Sequence, residues 1–218
     1  MKALFLGSIG TLSDTSELQR EAFNAAFREH GLDWHWDRDA YRDMLRVAGG
    51  RRRIEAQAEA EGVEVDATAV HATKSRLFQE MLDAGRAEAR PGIRELIETA
   101  RDDGMLLGLV TTTSKGNVNA LLGGLDLSPD SFDVVVTRDN VTEPKPDPEC
   151  YAHAAGALGA ETKACIAIED NADGVRAALA AGTTCYAWPN ENTTDHDFSG
   201  ATMAGRDICR TIFGARAA

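Results

Sequence analysis

The chain has 218 residues, with 35 acidic and 23 basic side chains and a formal net charge of −12. Hydrophobic residues make up 43% and charged ones 27%, the balance of a folded globular chain rather than a disordered one. The acidic excess argues against sequence-independent nucleic-acid binding, which runs on clustered Lys and Arg. It leaves an anionic ligand open, because a few local cations can reverse the field inside a cleft. No apolar run approaches the ~18 residues of a membrane helix. Cys150, Cys165, Cys185 and Cys209 form no CxxC pair and no zinc-ligand spacing. They read as buried free thiols of a reducing compartment, and the expected localisation is cytoplasmic.

Lys2 followed by ALFLGSIGTL has the outline of a short signal peptide. The small-x-small pattern is poor and a helix follows directly, so the segment reads as a buried first strand over residues 3–6. A turn, Gly7 to Thr11, comes next. Ser16 is expected to cap a helix, with Gln19 completing a capping box and Leu18, Ala22, Phe23, Ala26 and Phe27 as its apolar stripe. Residues 37 onward, 50–62 and 66 onward read as further helices, and nothing up to residue 89 reads as a strand. Trp34 and Trp36 are expected to anchor a loop onto these helices, with a partner interface as the other reading.

After Pro91-Gly92 the texture changes. A helix over 93–103 precedes a strand over 105–110, the polar run TTTSKGN and another helix. A short strand over 132–136 leads through EPKPDPE into a helix around Tyr151. A strand over 165–168, the loop EDNADG, a helix over 175–181 and a last strand over 184–187 follow. Strands alternating with helices imply an α/β, doubly wound parallel sheet. The first strand must join that sheet, so residues 16–89 are an insertion after it. Asp195, His196 and Asp197 read as a solvated turn.

In such a sheet, ligands bind beyond the carboxyl ends of the strands. The residues there are Gly7 to Thr11, Thr111 to Ser114, Lys145, and Glu169 with Asp170. Hydroxyls and backbone N–H groups at a helix start suit an oxyanion, a lysine adds a point charge, and adjacent carboxylates suit Mg²⁺. Each has a plainer reading: Thr112 as a helix cap, Lys145 as a solvated loop residue, Glu169-Asp170 as a helix-start dipole pair. Their joint placement at consecutive strand ends is the stronger signal.

With these residues in hand, the sequence resembles the haloacid dehalogenase superfamily. It is most similar to the subgroup that includes β-phosphoglucomutase, phosphoglycolate phosphatase and xylulose bisphosphate phosphatases. GTLSDT resembles the end of motif one, Thr112 in LVTTTS motif two, Lys145 in EPKPDPECY motif three, and IEDNADGVRAALAAG motif four. The resemblance implies a Rossmann-like core over residues 1–15 and 90–218 and a helical cap over 16–89, hinged near Asp14–Ser16 and Arg90–Gly92. It assigns phosphate binding to Thr112, Thr113 and Lys145. Glu169, Asp170 and the Ile9 backbone carbonyl become Mg²⁺ ligands. In GGRRRI, Arg53, with Arg51 beside it, matches the cap arginine that grips the far phosphate, and a solvated helix face is the other reading. Gln19 stands where many relatives carry histidine.

Motif one departs from the family. Gly10-Thr11 set the register of Asp-x-Asp-Gly-Thr, so Gly7 and Ile9 occupy the two aspartate positions. In the family the first aspartate attacks phosphorus and the second moves the proton. Glycine has nothing to attack with and isoleucine cannot carry a proton. Strand alternation aims Ser8 away from the face of Gly7, and Asp14 belongs to the following turn. One Mg²⁺ ligand is lost, so Mg²⁺ binding is expected to be weakened. Lys145 is then left to hold an anion or to pair with Asp170. Three readings remain: a degenerate phosphatase that binds a phosphorylated small molecule, an active Mg²⁺-dependent phosphosugar hydrolase with a non-standard site, and a non-catalytic interaction protein.

Overall fold

A computed structural model describes residues 1–46 and 49–214. Residues 47–48, within the expected cap, and 215–218, within the expected core, lie outside the described residues. Strand β1 (Ala3–Leu6) is followed by four helices: α1 (Ser16–Glu29), α2 (Arg38–Met44), α3 (Gly50–Glu61) and α4 (Ala67–Asp83). Then come α5 (Ile93–Asp102), β2 (Leu106–Val110), α6 (Lys115–Gly124), β3 (Val134–Val136), α7 (Glu149–Ala157), β4 (Cys165–Glu169), α8 (Ala172–Ala180), β5 (Thr184–Ala187), β6 (Thr202–Met203) and α9 (Ile208–Phe213). All strands are parallel, in the order β3-β2-β1-β4-β5-β6.

The sheet is covered on both faces, and the strand pleat decides which side chain goes where. Leu4 and Leu6 share one apolar cluster with Leu107, Leu109, Ile166 and Ile168 of the neighbouring strands and with Ile93, Leu96 and Ile97 of α5. Ala3 and Phe5 enter the opposite cluster with Cys165 and Ala167, under Tyr151 and Ala154 of α7 and Val175 and Ala178 of α8. A third cluster lies among α1 to α4, built on Phe23, Phe27, Trp34, Trp36, Tyr41 and Ile54. Both tryptophans are buried there, Phe27 packing edge-on against Trp34 and Trp36 at 5.3 and 4.7 Å.

Helix starts follow local chemistry. Asp37, Asp66, Ser114 and Asn171 each accept a backbone N–H from the first turn of the helix they precede. The box expected at Ser16 and Gln19 does not form. Thr15 is the cap residue without a side-chain bond, and Asp14 accepts from the Ser16 N–H and hydroxyl at 3.1 and 2.7 Å. A carboxylate two residues upstream outcompetes a serine hydroxyl as acceptor. Strand β5 is also not the last: β6 pairs with Tyr186 and Ala187. Two exposed residues carry no apolar pattern, so pairing alone defines that strand.

Candidate functional site

The carboxyl ends of β1, β2 and β4 surround a cavity of about 90 Å³, lined by Gly7, Ser8, Ile9, Thr111, Thr112, Lys145, Glu169, Asn171 and Asp173. Gly7 ends the first strand with its N–H on Ile168 O at 3.1 Å. A Cβ there would lie 2.6 Å from Thr11 Oγ1 and 3.2 Å from Glu169 Oε2. The hydroxyl of Thr11 thus fills the space in which a side chain at position 7 would begin. Ile9 lines the cavity but also packs on the apolar cluster beneath the sheet.

Ser8 corrects the expectation from strand alternation. β1 ends at Leu6, so the pleat no longer governs residue 8, and the Ser8 hydroxyl turns into the cavity to meet Thr111 Oγ1 at 2.8 Å. Thr111 Oγ1 also accepts the Thr113 N–H at 3.2 Å. Thr112 is half-buried in the cavity wall, and the helix cap is Ser114 instead. Thr113 is not in the wall: its hydroxyl accepts from Asn117 Nδ2 at 3.0 Å.

Lys145 is neither a solvated loop residue nor the partner of Asp170. It is 9% exposed and donates to Val110 O at 2.8 Å, to Tyr151 Oη at 3.4 Å and to Glu169 Oε1. Tyr151 donates to the same Glu169 oxygen. Burial is the largest influence and works against the Lys145 charge, but the Glu169 carboxylate, with Cys150 and Asp170 behind it, more than offsets it and holds the ammonium above its ordinary range. Burial, then Glu169, pushes the Tyr151 phenol well above its own.

Asp170 faces elsewhere. It sits against the backbone of Gly10, whose Cβ would lie 1.9 Å from Asp170 Oδ2, so glycine is required there. Its oxygens accept from Thr11 Oγ1 at 3.2 Å, Asn171 Nδ2 at 3.2 Å and Asn190 Nδ2 at 3.3 Å. Burial, followed by the neighbouring Glu169 charge, raises its carboxyl to about 7. The lysine is therefore paired with Glu169, not with Asp170. Glu169, the last residue of the central strand β4, points to Lys145 of the loop before α7 and to Tyr151 of α7, and Asp170 turns back to the motif-one loop.

The donor set does not fit a resident divalent cation. Mg²⁺ needs anionic oxygens free to face it. Glu169 is already neutralised by Lys145 and bonded by Tyr151, both at Oε1, position 7 has no carboxylate, Asp170 is spent on three side-chain donors, and Asp173 in the cavity wall is paired with Arg176. Among the described residues, no group of three or more His, Cys, Asp or Glu side chains converges as a metal site would require.

The residues assigned to the cap lie apart from the cavity wall. Gln19 Oε1 accepts from Lys74 Nζ at 2.8 Å. Lys74 is buried, with its ammonium 4.8 Å from the ring centres of both Phe23 and Phe78. Burial, then the Arg53 charge, lowers it to about 7. Arg51 is exposed and pairs with Glu55 one turn on at 3.3 Å, as a solvated helix face would. Arg53 is half-buried, donates from Nε to Met44 O at 2.9 Å and stands 5.8 Å over the Tyr41 ring. Its guanidinium is lowered by burial, while Tyr41 and the cavity residue Asp173 act the other way.

The sequence reading did not single out Asn171 and Asp173 of the cavity wall, nor several residues that support the site. Tyr151 stands six residues after Lys145, and that spacing was its only signal. Asp195 is not merely solvated: it pairs with Arg46 and, at 3.8 Å, with Arg42 of α2. His196 Nδ1 accepts the Ala172 N–H at 3.4 Å at the start of α8. Arg90 donates to Gly10 O at 2.8 Å and Trp188 O at 2.7 Å, tying the chain returning from α4 to the motif-one loop.

A polar cavity at the carboxyl edge of a parallel sheet, with residues from neighbouring strand ends in its wall, is the ligand-site architecture of a doubly wound α/β fold. The chain belongs to the haloacid dehalogenase-like hydrolase family, which it matches over residues 1–182. It is similar to protein CbbY of Rhodobacter capsulatus, at 37% identity over 213 residues that cover 95% of this chain and 94% of that protein. The crystal structure of CbbY from Rhodobacter sphaeroides in complex with phosphate superposes with a TM-score of 0.88 at 34% identity, covering 96% of this chain and 95% of that one. A mutant of that protein in complex with xylulose-(1,5)bisphosphate matches with the same score of 0.88 and the same coverage, 96% and 95%. A phosphorylated carbohydrates phosphatase of Thermotoga maritima is 31% identical over 185 residues, which cover 84% of this chain and 82% of that protein. No helix among the described residues is long and apolar enough to cross a membrane, and all four cysteines are free and buried.

Proposed function

We propose that this protein binds the phosphoryl group of a small phosphorylated sugar and does not hydrolyse it through an aspartyl phosphate. The observation that carries this reading is at Gly7. The Cα from which the nucleophile would project lines the cavity, and Thr11 Oγ1 occupies the start of that side chain's path. Neither position 7 nor position 9 carries an acid group to form an acyl phosphate or move a proton, and the two carboxylates that line the cavity, Glu169 and Asp173, are paired with Lys145 and Arg176. The site keeps hydroxyls from Ser8, Thr111 and Thr112 and the amino-terminal ends of α6 and α8, which favour negative charge. The sugar-phosphate class is supported by the likeness to CbbY, which is known with phosphate and with xylulose-(1,5)bisphosphate bound.

In this reading residues 16–89 act as a cap over the cavity. Support comes from the aromatic cluster shared by α1 to α4. Of the two cap arginines, Arg53 is the one that senses a cavity residue, Asp173, and Arg51 is turned to solvent.

The test is a turnover assay on phosphosugars, xylulose bisphosphate included, with Mg²⁺ present and thermal melting measured in parallel. The unmodified chain is expected to release no phosphate above trace while its melting temperature rises with ligand. Sustained turnover that persists through repurification would overturn the reading. A Gly7→Asp/Ile9→Asp variant serves as the positive control, and in it the Thr11 hydroxyl must rotate away to admit the new Cβ.

A further inference from the structure

The cavity wall holds a hydroxyl proton with no partner. Ser8 Oγ and Thr111 Oγ1 lie 2.8 Å apart. Each hydroxyl owns one proton, and the contact between them consumes one. Whichever of the two donates, the proton of the other is left over. With Ser8 donating, Thr111 Oγ1 already accepts twice, from Ser8 and from the Thr113 N–H at 3.2 Å, so it can act further only as a donor. Thr112, next along the chain, lines the same space.

Lys145 is in the opposite condition. Its three N–H groups are matched by three acceptors: Val110 O, Tyr151 Oη and Glu169 Oε1. Its charge is cancelled by Glu169 at contact distance. An anion entering the cavity therefore meets spare hydroxyl donors rather than a spare ammonium. It also meets no carboxylate at position 7, and the two carboxylates that do line the wall, Glu169 and Asp173, are each paired with a cation, Lys145 and Arg176, which lessens the repulsion an anion would feel. The volume of about 90 Å³ is room for a few waters, and so for one small oxyanion.

We propose that the Ser8–Thr111 hydroxyl pair is an anion ligand, and that the cavity takes a phosphoryl oxyanion without a divalent cation. The proposal rests on the reading of the cavity as a phosphoryl site. In that site the hydroxyl pair and the helix starts do the work that a metal ion and a lysine would otherwise share. The internal Lys145–Glu169 pair holds the lysine and the carboxylate together.

Calorimetric titration of inorganic phosphate into the full chain tests this, once with a chelator and once with Mg²⁺. The dissociation constant is expected to agree within about twofold in the two conditions, and Mg²⁺ alone is expected to give no binding heat. Ser8→Ala and Thr111→Val each leave one unshared proton, so each should weaken phosphate binding by less than about twofold. The double variant loses both and should weaken it at least about tenfold. That non-additivity is the signature of the shared proton. Phosphate binding that tightens tenfold or more with Mg²⁺ overturns the metal-free inference and leaves the phosphoryl site standing. Absence of phosphate binding in both conditions overturns the site reading and the inference with it. A folded double variant that binds like the parent overturns the role of the hydroxyl pair. The comparison of chelator with Mg²⁺ uses the parent chain, so it decides the metal question even if the double variant does not fold.

Discussion

Two lysines are buried in this molecule, and their surroundings treat the charge in opposite ways. Lys145, at the carboxyl end of the sheet, meets the Glu169 carboxylate, and its ammonium is held above the ordinary range despite burial. Lys74, among the inserted helices, meets the neutral Gln19 amide and two aromatic faces, and burial, with the Arg53 charge behind it, brings it down to about 7. Depth of burial is similar, with 9% and 3% exposure. The partner decides: a carboxylate compensates lost hydration, whereas an amide oxygen and ring quadrupoles compensate it only in part. The polar end of the sheet is consequently a closed charge-balanced network. The helical unit carries a charge that the fold tolerates rather than requires.

Breaking the first arrangement should have the largest effect. Glu169→Gln leaves the Lys145 ammonium buried beside a neutral amide, and the expected loss is about 3–5 kcal/mol in urea unfolding. A second change, Lys145→Met, should recover a large part of it, because the stranded charge is then gone. If Glu169→Gln costs less than about 1 kcal/mol, the network is not the electrostatic unit described.

Removing the second lysine should act in the opposite direction. Lys74→Met deletes a poorly compensated charge and is expected to stabilise the fold by about 1 kcal/mol or more at pH 6. The folded pKa of Lys74, about 7, lies below its ordinary 10.5. Below pH 7 folded and unfolded chains both hold the proton and the burial cost is complete. Between pH 7 and 10.5 the unfolded chain holds the extra proton, so stability of the parent rises with pH. The advantage of Lys74→Met should shrink over that window. Asp170 runs the other way: its folded value of about 7 exceeds its ordinary 3.8, so its contribution is complete below pH 3.8 and is lost as pH rises to 7. Urea midpoints of parent and variant across pH 5 to 10 check the sign, and a gap that widens toward pH 10 contradicts it.

The smallest effect is expected where charge meets solvent. Asp195 is 40% exposed and pairs with Arg42 and Arg46, themselves 41% and 51% exposed. Asp195→Asn should cost at most about 1 kcal/mol, and raising the salt concentration should erase the difference. A salt-independent loss of several kcal/mol would mean that this contact between α2 and the loop after β5 is no ordinary surface pair.

Much of the fold was legible because it depends on neighbours in sequence. The helix starts at Asp37 and Asp66 and the fully buried strand over residues 3–6 are local effects, whereas the caps at Ser114 and Asn171 were not picked out. The candidate site was legible in outline, since motif order placed Gly7, Thr112, Lys145 and Glu169 at neighbouring strand ends, and all four line one cavity. Ser8 was misread because the pleat stops one residue before Gly7. The box at Ser16 failed because Asp14, two residues away, is the better acceptor. Strand β6 and the partners of Asp195 left no trace, being contacts between segments far apart along the chain.

By itself, the amino-acid order determined the alternating elements, the family and the presence of Gly7 and Ile9, which carry no acid group, at the end of the first strand, since these follow from residue identity and short-range pattern. Only the tertiary structure decided which acceptor each buried cation takes. Lys145 and Glu169 are separated by 24 residues and Lys74 and Gln19 by 55, and a charge buried in a low-dielectric interior is stabilised by whatever the fold brings within about 3 Å of it, not by what stands beside it in the chain.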